Sequence, residues 1–277
     1  MKPAAFEYSR PDTLSDAIRL LAEADGSAAP ICGGQSLLVL MGLRLTMIER
    51  LVDISRLPEL GGIRDDGREV FIGASTTHAA IEDGLIPDPS AGLMPRIAGK
   101  IAYRAIRNLG TIGGSVALAD PAADWPACLI ALDAEVSIAG PDGQRRASVA
   151  DFVTGAYETI LAPAEIVLGF HIPRRASMRW GTSKVSRKSG AFADSMAVFV
   201  EADDGAAPRA VVGGTSSHAC LLPQVGRYAS DHRTLDRVEL RAVILQDLTD
   251  VAPDADDYQR RCHVATVSRA MVEARQS

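Results

Sequence analysis

The chain has 277 residues, of which 47% are hydrophobic and 23% charged, and its formal net charge is −6. These values are ordinary for a globular protein of one or two domains, and the negative charge argues against general nucleic-acid binding. The first residues lack the apolar core of a signal peptide, and the densest apolar run, residues 37–43, is too short to span a membrane.

Cysteine and histidine spacings argue against a metal ion or cluster held by this chain alone. The 4 cysteines stand too far apart for a C-x-x-C motif, and the 5 histidines form no H-E-x-x-H motif. We therefore expect reduced thiols in a cytoplasmic protein, histidines that are structural or at the surface, and no metal site. The residues concerned are Cys32, Cys128, Cys220, Cys262, His78, His171, His218, His232 and His263.

A glycine turn follows the first predicted helix and strand. Thr13 is typical of an N-cap, and a short strand is expected to end at Ile31. Gly33 and Gly34 come next, before an apolar run that predicts a helix capped by Ser36. Glycines allow positive φ, and unpaired N–H groups at such a turn attract phosphates. An ordinary strand-to-helix turn is the alternative.

A second stretch repeats this order. Residues 106–115 contain Gly113 and Gly114 between the hydroxyl residues Thr111 and Ser115. Two such loops could hold the two phosphates of a dinucleotide. Neither has the G-x-G-x-x-G spacing of a Rossmann fingerprint, and no G-K-[ST] of a P-loop occurs, so both of those folds are disfavoured.

Charged residues lie on either side of the second loop. A helix near residues 97–105 leads to it, and Lys100, Arg104 and Arg107 could lie near phosphates or on a solvated helix face. Asp120 and Asp124 follow the loop, and they could be plain helix-start residues or acceptors for the sugar or ring of a ligand.

The remaining patterns predict hairpins, then an antiparallel sheet and two long helices. Thr77 is expected to cap a short helix, and the domain boundary is expected near residues 174–178. The predicted hairpins span 63–72 and 135–148, the strands 166–172, 182–185, 195–201 and 209–213, and the long helices 235–248 and 256–275.

Ordered sequence blocks over nearly the whole chain resemble the FAD-binding medium subunit of the molybdenum hydroxylases, the xanthine dehydrogenase and carbon monoxide dehydrogenase family. The resemblance implies an α/β (α+β) fold, with a two-subdomain PCMH-type FAD-binding domain at residues 1–175, subdomains at about 1–55 and 56–175, and a C-terminal medium-subunit domain at 176–277 built from an antiparallel sheet plus a helical bundle. The blocks are Phe6-Glu7-Tyr8, Cys32-Gly33-Gly34-Gln35-Ser36-Leu37, Leu43-Arg44-Leu45, Leu51-Val52-Asp53-Ile54, Ile72-Gly73-Ala74, Ile106-Arg107-Asn108, Thr111-Ile112-Gly113-Gly114-Ser115, Asp120-Pro121-Ala122-Ala123-Asp124, Asp151-Phe152 and Asp257-Tyr258-Gln259-Arg260-Arg261.

The resemblance also implies a noncovalent FAD and the residues that bind it. The two glycine loops would hold the diphosphate, and Lys184 would add positive charge that favours the reduced, anionic flavin. Phe192 falls where carbon monoxide dehydrogenase carries a tyrosine near the isoalloxazine ring. No side chain is expected to be catalytic, and the implied contacts are Cys32, Gly33, Gly34, Gln35, Ser36, Leu37, Ile101, Thr111, Gly113, Gly114, Ser115, Asp124, Val167, Lys184 and Phe192.

By the same resemblance the chain works in a larger oxidoreductase, as a dimer of heterotrimers. A large subunit would carry molybdopterin, a small subunit would carry [2Fe-2S] clusters, and the FAD would pass electrons to an external acceptor. A free-standing PCMH-type flavin oxidase or reductase, or a non-catalytic nucleotide-binding regulator, are the alternatives. The substrate stays open among carbon monoxide, aldehydes, purines and N-heteroaromatics, and so does the acceptor.

Overall fold

A small parallel sheet opens the fold in the computed structural model, which describes residues 2–276. Its elements are β1 (Glu7–Ser9), α1 (Leu14–Glu23), β2 (Ala28–Ile31), α2 (Leu37–Gly42) and β3 (Arg50–Asp53). The strands pair in the order β1-β3-β2, all parallel. The predicted cap at Thr13 is confirmed, because its hydroxyl accepts from Asp16 N at 3.1 Å.

An antiparallel sheet with surrounding short helices forms the next part. The elements are α3 (Pro58–Gly61), β4 (Ile63–Asp65), β5 (Glu69–Gly73), α4 (His78–Glu82), α5 (Leu93–Ala98), α6 (Arg104–Arg107), α7 (Ile112–Leu118), α8 (Asp124–Ala131), β6 (Glu135–Gly140), β7 (Gly143–Ser148), α9 (Val149–Phe152), β8 (Val153–Gly155), β9 (Glu158–Thr159) and β10 (Ile166–Pro173). The main sheet has the order β4-β5-β10-β6-β7. Both predicted hairpins are therefore confirmed, and so is the cap at Thr77, whose hydroxyl accepts from Ala80 N.

The last part is an antiparallel sheet covered by helices. Its elements are β11 (Met178–Val185), β12 (Ser195–Ala202), β13 (Arg209–Gly213), β14 (Cys220–Leu221), α10 (Pro223–Asp231), α11 (Arg237–Val251) and α12 (Asp257–Gln276). The strand order is β11-β12-β13-β14. Helix α12 packs on β11 and β12, which gives the predicted combination of sheet and helices.

Strand β12 is buried on both faces, because alternate residues of a strand point to opposite sides. Met196 and Val198 join a hydrophobic core that also contains Trp125 and Phe170 from the preceding part. Phe199 on the other face joins the core beneath α10, α11 and α12. The larger core therefore continues across the predicted boundary at residues 175 and 176, and the division into domains there stays a prediction.

One local prediction is wrong, and one helix was not predicted. The helix expected over 97–105 is broken into α5 and α6, because Ala102 takes a left-handed φ of 44° that a helix cannot contain. Helix α10 was not predicted, and the carboxylate that accepts from its first N–H groups comes from another helix: Asp247 accepts from Gln224 N and Val225 N. Within residues 2–276, no helix combines the length and the apolar character that crossing a membrane requires.

Candidate functional site

A cavity of about 830 Å³ lies between the glycine loops and the edge of the last sheet. It is lined by residues of β2, α2, α7, α8, β10 and β11 and of the segment before β12. All of the predicted cofactor contacts line this one cavity: Cys32, Gly33, Gly34, Gln35, Ser36, Leu37, Ile101, Thr111, Gly113, Gly114, Ser115, Asp124, Val167, Lys184 and Phe192.

The first glycine loop packs directly on the residues before the second loop. A Cβ atom placed on Gly33 would lie 1.9 Å from Leu109 O and 3.1 Å from Gly110 Cα, so this position needs glycine. Gly34 has a φ of 68°, in the left-handed region that favours glycine. Together these two glycines turn the chain from β2 into α2 and hold the two loops in contact.

Ser36 does not cap α2, and this prediction is wrong. Its backbone already has helical φ and ψ of −107° and −52°, whereas a capping residue needs an extended backbone, and its side chain makes no cap hydrogen bond. Gln35 instead donates from its amide to Gly33 O at 3.1 Å. Within residues 2–276, no partner is found for the backbone N–H groups of Gly34, Gln35 and Ser36. The first loop therefore presents free donors to an anion.

In the second loop, the backbone N–H groups from Ile112 to Ser115 already have partners. Thr111 caps α7 by accepting from Gly114 N at 3.1 Å, and Gly113 N donates to Ala74 O at 2.9 Å. A Cβ atom on Gly113 would lie 2.4 Å from the Ala74 Cβ, whereas one on Gly114 would meet only Thr111 Oγ1, at 3.0 Å. Gly113 is therefore needed for packing, and Gly114 keeps room on the cavity side.

A buried ion pair joins α8 to the last sheet at the cavity wall. Lys184 Nζ lies 2.9 Å from both carboxylate oxygens of Asp124, and the two side chains are 10% and 8% exposed. Burial raises the pKa of Asp124, and the neighbouring Lys184 opposes that rise. Asp124 therefore offsets the charge of Lys184 where both groups are ionised, and the expectation that Lys184 adds positive charge at the flavin stays a prediction.

The arginines before the second loop are paired with acidic side chains that do not line the cavity. Arg107 Nε lies 2.7 Å from Glu82 Oε2, and Arg104 Nη1 lies 2.7 Å from Asp83 Oδ1. Neither arginine lines the cavity, nor does Lys100. The acidic partners of the two arginines, on and beside α4, therefore explain those two charges, rather than phosphate binding.

Comparison with known proteins identifies the family. The model of the FAD binding domain in molybdopterin dehydrogenase matches residues 4–175. The chain belongs to this family. The carbon monoxide dehydrogenase medium chain of Hydrogenophaga pseudoflava is 38% identical over 194 residues, which are 70% of this chain and 68% of the relative. The nicotine 6-hydroxylase medium subunit of Paenarthrobacter nicotinovorans is 32% identical over 99% of both chains.

The similarity extends through the whole fold. A solved structure of carbon monoxide dehydrogenase from Hydrogenophaga pseudoflava, in a form that lacks the Mo-pyranopterin moiety of the molybdenum cofactor, matches with a TM-score of 0.91 and 31% identity, over 99% of this chain and 98% of that chain. The chain is therefore an FAD-binding medium subunit of the molybdenum hydroxylase type. The predicted family and fold class are confirmed.

The cavity of this FAD-binding subunit has the properties that FAD requires. Its volume falls in the range of cofactor sites, which are mostly apolar with a few placed polar groups. Val167 and Ile101 contribute apolar wall, and the free N–H groups of the first loop provide donors for a diphosphate. The residues present therefore fit the cofactor of the family.

Phe192 lies at the open rim of the FAD cavity, with 63% of its surface exposed. The nearby Gly190 has a φ of 75°, and a Cβ atom there would lie 2.6 Å from Ala102 O. The segment that carries Phe192 is thus packed closely against Ala102, beside the wall residue Ile101. An aromatic ring in this position is available to cover a bound group.

His78 lines the cavity but was not among the predicted cofactor contacts. It is only 5% exposed, and its Nδ1 accepts from Trp125 Nε1 at 3.0 Å. Burial lowers the pKa of His78 to about 4. Nothing in the local sequence distinguishes it from a core histidine, because its partner Trp125 is distant in the chain.

Proposed function

We propose that this chain is the electron-transfer subunit of its enzyme, accepting electrons from [2Fe-2S] clusters of a partner subunit and delivering them to an external acceptor. The observation that carries the proposal is the cavity in which both glycine loops meet residues of the last sheet. When bound, FAD supplies the redox chemistry, and the protein supplies binding, orientation and electrostatics.

Each part of the cavity then has a task. The free N–H groups of Gly34, Gln35 and Ser36 bind the diphosphate. Gly114 leaves space for the cofactor, and Phe192 shields its exposed end. The properties of Cys32 are consistent with noncovalent attachment of the FAD. Burial raises the pKa of the Cys32 thiol, although a hydrogen bond with Thr111 partly opposes this rise. The nucleophilic thiolate is therefore disfavoured.

The remaining predicted contacts complete the FAD site in this proposal. They form its walls, its polar groups or its packing, and they comprise Cys32, Gly33, Leu37, Ile101, Thr111, Gly113, Ser115, Asp124, Val167 and Lys184.

An exposed apolar surface supports assembly with other subunits. We define the α2 patch as Leu38, Val39, Leu43, Leu45 and Met47, which are 43%, 55%, 51%, 71% and 79% exposed. Several exposed apolar side chains in one short stretch of chain are typical of an interaction site, and this stretch follows directly on the first glycine loop. We assign it to contact with the molybdopterin or iron–sulfur subunit, within a dimer of heterotrimers.

Substrate choice belongs to another subunit in this proposal. Relatives named for carbon monoxide dehydrogenase and for nicotine 6-hydroxylase are both similar to this chain. Similar medium chains thus occur in enzymes named for chemically different substrates. The cytoplasmic location is supported by the free thiols of Cys32, Cys128, Cys220 and Cys262.

The test is purification of the tagged full-length chain from its native host, followed by subunit, flavin, iron and molybdenum analysis. We expect a complex with a molybdenum-containing large subunit and an iron–sulfur small subunit, with FAD that becomes reduced when substrate reduces the complex. A flavin-containing chain that purifies alone and turns over a substrate would support the free-standing enzyme instead. A chain without flavin would support the regulator.

The α2 patch has its own variant and control. Leu45→Ser combined with Met47→Ser should reduce recovery of the partner subunits while leaving the fold unchanged, because both side chains are exposed. Val238→Ser on α11 is the matched control, since Val238 is 78% exposed outside the patch. Full recovery with the double variant would remove the α2 patch from the interface.

A further inference from the structure

His78 has a fixed position beneath the second glycine loop. Its backbone N donates to Gly110 O at 2.9 Å. A Cβ atom placed on Gly110 would lie 2.9 Å from both Cδ2 and Nε2 of the imidazole, so the ring borders this glycine closely. Only 5% of the residue is exposed.

The hydrogen bond from Trp125 fixes which ring nitrogen carries the proton. An indole N–H can only donate, so His78 Nδ1, 3.0 Å away, must be the unprotonated acceptor. The neutral imidazole therefore carries its hydrogen on Nε2. The ring is neutral near pH 7, because burial lowers the pKa of His78 to about 4, with a smaller contribution from Arg107.

Among residues 2–276, the Nε2–H group of His78 has no hydrogen-bond partner. The only hydrogen bond of the His78 side chain within residues 2–276 is the one that Nδ1 accepts from Trp125. The fully buried polar side-chain atoms that lack a partner in this part of the chain are Glu201 Oε2 and His263 Nε2. His78 Nε2 is not among them, so it keeps accessible surface, and the residue lines the FAD cavity.

We propose that His78 is a cofactor-binding residue whose Nε2–H donates a hydrogen bond to an oxygen of the FAD diphosphate. This inference rests on the proposed FAD site. The first loop reaches the same point, because a Cβ atom on Gly33 would lie 3.1 Å from Gly110 Cα, on which the His78 ring also packs. The first loop and the imidazole ring therefore both lie against Gly110, and both line the FAD cavity.

The side-chain variants separate this donor from the structural bond to Trp125. His78→Asn keeps an acceptor near the position of Nδ1 but lacks a donor at the distance of Nε2. His78→Gln keeps an amide donor near Nε2 and loses the acceptor for Trp125. Trp125→Phe removes the indole donor and leaves the imidazole in place.

The measurement is the dissociation constant of the flavin-free full-length chain for FAD, ADP and riboflavin. A hydrogen bond to a charged group corresponds to roughly a 10- to 150-fold change in affinity. We expect His78→Asn to weaken FAD and ADP by about that factor and riboflavin by less than about threefold. His78→Gln and Trp125→Phe should keep most of the FAD affinity even where they lower thermal stability.

Wild-type FAD affinity in folded His78→Asn would overturn the proposal. An equal loss for FAD and riboflavin would also overturn it, because riboflavin has no diphosphate. If His78→Asn does not fold, ¹⁵N NMR of the wild-type chain decides: addition of ADP should shift the Nε2–H resonance while Nδ1 stays unprotonated, and no shift would refute the bond. A wild-type chain that binds no FAD at all would instead contradict the proposed function.

Discussion

A methyl group at Gly114 should affect folding and cofactor binding in opposite directions. Gly114 is exposed in the first turn of α7, and its Cβ atom would meet only Thr111 Oγ1 at 3.0 Å. Alanine in a helix is favoured over glycine by roughly 0.5–1 kcal/mol. The same methyl group would enter the space assigned to FAD, where overpacking costs typically about 1–3 kcal/mol. Gly114→Ala should therefore keep or raise the free energy of unfolding and weaken FAD binding by roughly 5- to 150-fold.

The assay pairs a flavin fluorescence titration with urea unfolding. Gly113→Ala is the matched control, because its Cβ atom would lie 2.4 Å from the Ala74 Cβ and 2.7 Å from Ala74 O. It should lower the free energy of unfolding by about 1–3 kcal/mol. If Gly114→Ala is folded and binds FAD with the wild-type dissociation constant, Gly114 does not face the cofactor and the second loop is misassigned.

Three further results should follow from the same site. Lys184→Met should lower the free energy of unfolding by about 3–5 kcal/mol, because it leaves the buried Asp124 carboxylate uncompensated, and adding Asp124→Leu should recover most of this loss in urea titrations. The fold lowers the pKa of His78 from 6.5 to about 4. Between these pH values the unfolded chain binds a proton more readily than the folded chain, so the free energy of unfolding should fall by about 3 kcal/mol as the pH drops through that window. The variant His78→Asn should lack this pH dependence. Phe192→Ala should change stability by less than about 0.5 kcal/mol, since the ring is exposed, but should speed reoxidation of the reduced enzyme by oxygen in stopped-flow measurements, and an unchanged rate would remove Phe192 from the flavin.

Helix caps and turns were predictable where the residues that form them lie within a few positions of one another in the sequence. Thr13 and Thr77 each precede a helix and cap it through the N–H three residues ahead, so the sequence alone contains both partners. Asp65 and Asp66 begin a turn with Gly67, which has a φ of 83°, between two strands that pair. Local turn chemistry of this kind does not depend on the rest of the fold.

Predictions failed where a distant residue decides the conformation. Gly33 is pressed against Leu109, and Ser36 downstream takes a helical backbone instead of a capping one. Arg107 bonds to the carbonyl oxygens of Ile101 and Ala102 as well as to Glu82, at the break between α5 and α6. None of these contacts has a signature in the surrounding sequence.

The residues that line the cavity could be predicted together only through the family resemblance. Asp124 begins helix α8 and Lys184 lies in strand β11, so the two side chains meet only in the folded chain. Their pairing was not foreseen, because a sequence shows each charge but not the distance between them. His78 was missed for the same reason, since its role depends on Trp125 holding one ring nitrogen and leaving the other towards the cavity.

The most direct test of the central claim is the flavin content of the purified full-length chain, before and after acid precipitation. The cavity with its free first-loop donors predicts saturable binding of a single FAD per chain. Because we propose that the FAD is held noncovalently, acid should release all of it into the supernatant. A folded chain that binds no FAD at saturating concentration, or a yellow pellet with a colourless supernatant, would contradict the account.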